Sequence, residues 1–134
     1  MESALKNMAG SRATDVSFVD ADGAEGTLLT FVEKAAETLV LFYDPECPTC
    51  KDLIHILAAD DYLNTAITAG DMQVIAMYPD GKTDHWQQDA PTMPANWTVA
   101  RSREPIDEEY DLPVIPIVYV IDSSGIVLAK DLQL

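Results

Sequence analysis

Residues 38 to 58 read Thr38-Leu39-Val40-Leu41-Phe42-Tyr43-Asp44-Pro45-Glu46-Cys47-Pro48-Thr49-Cys50-Lys51-Asp52-Leu53-Ile54-His55-Ile56-Leu57-Ala58. The first six form a short apolar run rich in β-formers, as expected of a strand buried on both faces. Asp44-Pro45 ends it. Beyond the cysteines, Leu53, Ile56 and Leu57 share one helical face, so a helix is predicted to follow. Pro48 suits the first turn of that helix, where its fixed φ and missing N–H cost nothing. Cys47 then stands at the helix N-terminus, and Cys50 lies one turn further in, facing the protein.

Other elements can be read on either side of this strand-turn-helix unit. Asp60 or Asp61 is a plausible N-cap for a second short helix through Ala69, with Gly70 at its C-terminal end. Met72 to Tyr78 reads as a strand, and Ile117–Ile121 with Ile126–Lys130 as a hairpin joined by Asp122-Ser123-Ser124-Gly125. The order fits an α/β fold: a central mixed β-sheet flanked by helices on both faces. Residues 79–105 contain Pro79, Pro91, Pro94 and Pro105 and read as a Pro-rich insertion. It is predicted to hold a helix around Thr83 to Gln88, a strand around Trp97 to Ala100 and a helix begun by Pro105. Trp86, Met93 and Trp97 either pack this segment onto the body or line a groove beside the cysteines, and packing is the simpler reading. Asp107-Glu108-Glu109 reads as a solvated helix face.

The chain has 134 residues, enough for one domain, 1–134, with residues 1–14 as an N-terminal extension. At this length about two-thirds of the unfolded surface can be buried, so neither a disulfide framework nor a metal is needed for folding. The 8 basic and 23 acidic residues leave a net charge of −15, which repels phosphate backbones and anionic lipid headgroups. Nucleic acid is thereby an improbable partner. No stretch approaches the roughly 18 apolar residues of a membrane span, and Met1 to Arg12 lacks the apolar core of a signal peptide. A cytoplasmic protein, or one whose leader has been removed, is expected.

Cys47 and Cys50 are the only cysteines. A disulfide between them would close a very short loop and contribute about 2 kcal/mol, little for a domain that does not need it. A zinc site would have to recruit His55 and His85, whose separation far exceeds the usual three to five residues or so. On a helix His55 would also lie about 140° around from Cys50. No metal and no bound cofactor is therefore expected. Thiol chemistry fits better. Unpaired amides and the positive end of the helix dipole favour a thiolate at Cys47, the attacking species, and Cys50 is placed to bridge back to it. Asp44, Glu46 and Asp52 partly cancel that benefit, so a protein nearer the reducing than the strongly oxidising end is expected.

With Phe42 to Lys51 joined to Tyr110-Asp111-Leu112-Pro113-Val114-Ile115-Pro116-Ile117-Val118-Tyr119-Val120-Ile121-Asp122, the sequence resembles the thioredoxin superfamily and, within it, TlpA-like thiol:disulfide oxidoreductases. Phe18-Val19-Asp20-Ala21-Asp22-Gly23 is similar to the start of their N-terminal β-hairpin, and the likeness runs from about residue 15 to 131. The resemblance implies a thioredoxin-like fold and a cis-proline at Pro116 opposite the cysteines. It also implies a catalytic pair, Cys47 as nucleophile and Cys50 as resolver, with substrate held by the backbone at Ile115 and Pro116. The partners implied are protein disulfide or dithiol substrates and a redox partner, met by a monomer. A periplasmic or other extracytoplasmic site follows if a leader was removed.

The chain departs from that pattern in three ways. Glu46 replaces the Trp that usually precedes the first Cys, placing an acid on the docking surface. The positions of the family's buried proton acceptors hold Leu41 and Leu53, so water or an acid from elsewhere must deprotonate Cys50. No helix follows the last hairpin, so its covering layer comes from Glu2 to Met8 or is absent from this chain. These departures keep two other readings in view: a non-catalytic binding module of the same fold, and a metal carrier using the cysteine pair.

Overall fold

The computed structural model describes residues 10–79, 84–103 and 116–131. The apolar run after Lys34 forms β3, Glu37–Phe42, whose residues from Thr38 onward are all buried. Its neighbours explain why. β4, Met72–Tyr78, pairs with it in parallel, and β6, Ile117–Asp122, pairs antiparallel on the other side. β5, Thr98–Ser102, lies parallel to β4, while β1, Ser17–Asp20, and β2, Glu25–Thr27, extend the sheet antiparallel beyond it. β7, Val127–Asp131, closes the opposite edge, giving the order β2-β1-β5-β4-β3-β6-β7.

Period-two alternation along β3 sorts the core into two layers. Val40 and Phe42 face one side, with Phe18, Leu28, Phe31, Val32, Ile75 and Tyr119. The short helix α1, Leu28–Phe31, and the 3-10 turn after it cover that side. Leu39, Leu41 and Tyr43 face the other, under α2, Pro48–Ala58, and α3, Asp61–Ala69. The predicted α/β arrangement, a mixed sheet with helices on both faces, is the one observed.

Local signals set the element ends. Asp60 caps α3, its carboxylate accepting the Leu63 N–H at 3.0 Å, and Gly70 follows with φ +84°, a left-handed turn that a side chain would strain. Asp122 closes the β6–β7 turn by accepting from the Ser124 and Ile126 N–H groups.

The stretch read as an insertion is not set apart from the sheet. Its strand, β5, stands between β4 and β1 and is as much a part of the sheet as they are. Its helix is α4, Asp84–Asp89, continued by a 3-10 turn at Ala90–Thr92. Trp86, Met93 and Trp97 are buried in the same layer as α2, so they pack this segment onto the body; the clefts that their edges touch lie against residues 19–23 and do not reach the cysteines. The helix expected from Pro105, the acidic run 107–109 and the covering segment Glu2–Met8 lie outside the described residues.

Candidate active site

β3 delivers the chain to the carboxyl end of the sheet, and residues 43–47 turn it into α2. The Asp44 carboxylate accepts the Glu46 N–H at 2.8 Å, and the Asp44 carbonyl accepts the Cys47 N–H at 3.1 Å. This tight turn leaves Cys47 as the N-cap of α2 with extended backbone, and Pro48 begins the helix. The Cys47 sulfur accepts the Cys50 N–H at 3.2 Å, so an otherwise unpartnered amide of the first turn points at it. Both cysteines are free thiols. Cys47 is half-buried, whereas Cys50 is wholly enclosed.

Enclosure has an electrostatic consequence. Burial first, and then its hydrogen bond to Cys47, push the Cys50 thiol up to about 12, against a smaller opposing effect of the Asp44 backbone. Cys50 therefore rests as a neutral thiol and must shed a proton to become a nucleophile.

Pro116 immediately precedes β6, whose first residue, Ile117, pairs with Phe42 at the end of β3. It is buried. The antiparallel register thus brings Pro116 to the same end of the sheet as the Cys47 turn. Ile115 lies outside the described residues. Glu46 and Asp52 are exposed around the turn, as is His55 further along α2. Among the described residues no three His, Cys, Asp or Glu side chains gather as metal ligands would.

The structure adds residues that the pattern of the sequence does not single out. Asp89, the last residue of α4, forms an ion pair through Oδ1 with Lys51, the neighbour of Cys50. Its side chain is only 12% exposed, and its Oδ2 is buried with no hydrogen-bond partner among the described residues. The Tyr43 hydroxyl and the Trp86 indole nitrogen are buried and unpartnered in the same sense. Tyr43, Cys50 and Trp86 belong to one contiguous buried cluster. Burial raises the pKa of the Tyr43 hydroxyl, the Asp89 charge adds to that, and smaller contributions come from Asp44 and Cys50. The Trp86 N–H pulls the other way but stands outside hydrogen-bonding geometry. No sequence signal marks Asp89. An acid closing a short helix is ordinarily solvated.

No protein-family model matches the sequence, and none of the curated proteins does. Solved structures do. The C-terminal domain of an uncharacterized protein from Bacteroides fragilis is 30% identical, with TM-score 0.88 over 96% of this chain and 92% of that one. A thioredoxin-like protein from Bacteroides caccae is 28% identical with TM-score 0.90; the match covers 98% of this chain but only 48% of that protein. The thioredoxin domain of a thiol-disulfide oxidoreductase from Bacteroides vulgatus, 19% identical, superposes with TM-score 0.77 over 93% of this chain and 89% of that domain, a likeness of fold.

Proposed function

This chain belongs to the thioredoxin superfamily, and on that premise we propose that it is a thiol:disulfide oxidoreductase of the TlpA-like kind, acting on protein substrates without a bound cofactor. The observation that carries this reading is the unequal pair at the head of α2: a reachable Cys47 sulfur receiving an amide N–H, and an enclosed Cys50 one turn behind it.

The reaction begins with the Cys47 thiolate attacking one sulfur of a substrate disulfide. A Cys47–substrate bond forms, and the other substrate sulfur leaves as a thiolate that picks up a proton. Cys50 loses its proton and attacks the Cys47 sulfur. The mixed disulfide breaks, the Cys47–Cys50 bond forms, and the substrate departs with its two sulfurs reduced while the protein pair is oxidised. Backbone groups at Ile115 and Pro116 would hold the substrate as an added extended strand, a mode that draws affinity from main-chain hydrogen bonds. Run in reverse, the same steps oxidise a dithiol, and the direction follows the potential of the redox partner.

Reduction of insulin disulfides by dithiothreitol tests the proposal. Wild type should accelerate the reaction, and Cys47→Ser should abolish the acceleration. Equal rates with the two proteins would leave a binding module that keeps the fold without the chemistry, a reading otherwise favoured only by Glu46 at the rim and by Leu41 and Leu53 where an acid would be expected.

A further inference from the structure

Single exposed apolar residues are ordinary on a protein surface, so it is their placement that carries meaning. Among the described residues the large exposed hydrophobics are Ile56 at 64%, Tyr62 at 80% and Leu128 at 43%. Leu128 stands apart on the edge strand β7. Ile56 and Tyr62 flank one corner, the last turn of α2 and the first turn of α3, and the Asn64 side-chain amide holds that corner by donating to the Ala58 carbonyl at 2.9 Å. Ile56 also belongs to a stripe. Thr49, Asp52, Ile56 and Ala59 recur at helical spacing and are all exposed, as is His55 beside them, so an uncovered face of α2 runs from the Cys47 turn towards Tyr62. The charge along this face has one sign. Glu46, Asp52 and Asp61 are exposed, whereas Lys51, the one lysine or arginine between residues 44 and 71, is held by Asp89 on α4. Asp60, at the corner itself, is turned to the Leu63 amide. An occupant of the face has to offer apolar side chains to Ile56 and Tyr62 and positive charge to the carboxylates. Anionic lipid is repelled by the same carboxylates.

We propose that the outer face of α2, with Tyr62 at its far end, is a docking surface for the protein substrate, and that it takes a substrate segment combining apolar and basic residues. Ile56 lies nine positions beyond Cys47, about 14 Å along a helix, a span that an extended chain covers in about four residues. A substrate whose disulfide meets the Cys47 sulfur therefore reaches Ile56 and Tyr62 with residues about four to six positions from its own cysteine. Contact there adds affinity before any bond is exchanged, so it selects the substrate and leaves the chemistry of the two cysteines unchanged. Ile56 and Tyr62 touch the substrate at a distance from the reacting sulfurs, and the carboxylates set the sign of charge that approaches them.

The inference rests on the oxidoreductase reading, and one experiment separates the two. Short peptides carry a cysteine activated as its 4-thiopyridyl disulfide and differ only at a pair of positions about four and five residues from it: leucine with lysine, leucine with glutamate, or serine with lysine. Mixed with the reduced protein, each is followed by the release of thiopyridone. At about 0.02 M salt the leucine–lysine peptide should react about 10-fold faster than either of the others, and its lead over the leucine–glutamate peptide should shrink at about 0.5 M salt. Ile56→Ser and Tyr62→Ser should each slow the leucine–lysine peptide about 3- to 10-fold, and Leu128→Ser should not. The neutral 4,4′-dithiodipyridine is too small to reach Ile56 from Cys47 and so reports the cysteines alone: attack by Cys47 releases the first thiopyridone and resolution by Cys50 the second. With it the variants should keep the wild-type rates, which distinguishes lost docking from a disturbed fold. A wild type that reacts equally with the three peptides, or Ile56→Ser and Tyr62→Ser proteins that both keep the wild-type rate with the leucine–lysine peptide, overturns the docking surface alone. A wild type that releases only one thiopyridone from dithiodipyridine, or none, overturns the oxidoreductase reading and the docking surface with it.

Discussion

Cys50 is where burial and chemistry meet most directly. Its thiol is raised from an ordinary 9.0 to about 12, so above pH 9 the folded protein holds a proton that the unfolded chain has released. The stability tied to the neutral thiol is intact below about pH 9 and is lost as pH climbs towards about 12. Urea midpoints of the reduced protein should therefore fall across that interval more steeply than those of Cys50→Ala. Parallel curves would show that the thiol titrates as if exposed. Tyr43 adds a slope of the same sign to both proteins and so does not confuse the comparison. The placement of the two cysteines and Pro48 at the head of α2 was readable in advance because it depends on neighbours one turn away. Asp89 was not, because whether an acid is solvated or enclosed depends on what its helix lands on, here Lys51.

α2 and α3 show how much a helix boundary can be local. Cys47 and Asp60 occupy the N-cap positions expected of them, and Gly70 ends α3 in the left-handed region. A Cβ at Gly70 would meet nothing within 4 Å, so replacing it tests backbone strain alone. Gly70→Ala should cost about 1 kcal/mol, and Asp60→Ala about the same by leaving the Leu63 amide without its cap. Both are measured by denaturant unfolding, and neither should alter the rate of insulin reduction. A loss well above that would mean that the α3 ends support the site. The strand in the Pro-rich stretch was also legible, to within a few residues, but not its place. That β5 inserts between β4 and β1 is a pairing between segments distant in the chain, and nothing in Thr98–Ser102 announces which strands it will join.

The net charge of −15 is spread over a small body, and it already counts Lys51 and Arg103, which pair with Asp89 and Glu25. Self-repulsion of this kind weakens the folded state and is screened by salt. The unfolding midpoint should accordingly rise as sodium chloride is increased from about 0.01 M to about 0.5 M, where the screening length falls to a few ångströms. A flat or falling midpoint would show that paired charges dominate. The same excess of acid, with Glu46 next to Cys47, would disfavour strongly anionic substrates in the proposed reaction. The sequence was sufficient for whatever local physics settles: the doubly buried β3, the cysteine at a helix mouth and the caps. Folding in three dimensions was needed for what depends on distant segments meeting: β5 inside the sheet, Trp86 and Trp97 buried in one layer with Cys50, Pro116 brought to the end of β3, and the Asp89 carboxylate tied to Lys51. Hydrophobic period and capping are properties of adjacent residues, whereas enclosure, and the proton affinity that comes with it, exists only once remote parts of the chain exclude water together.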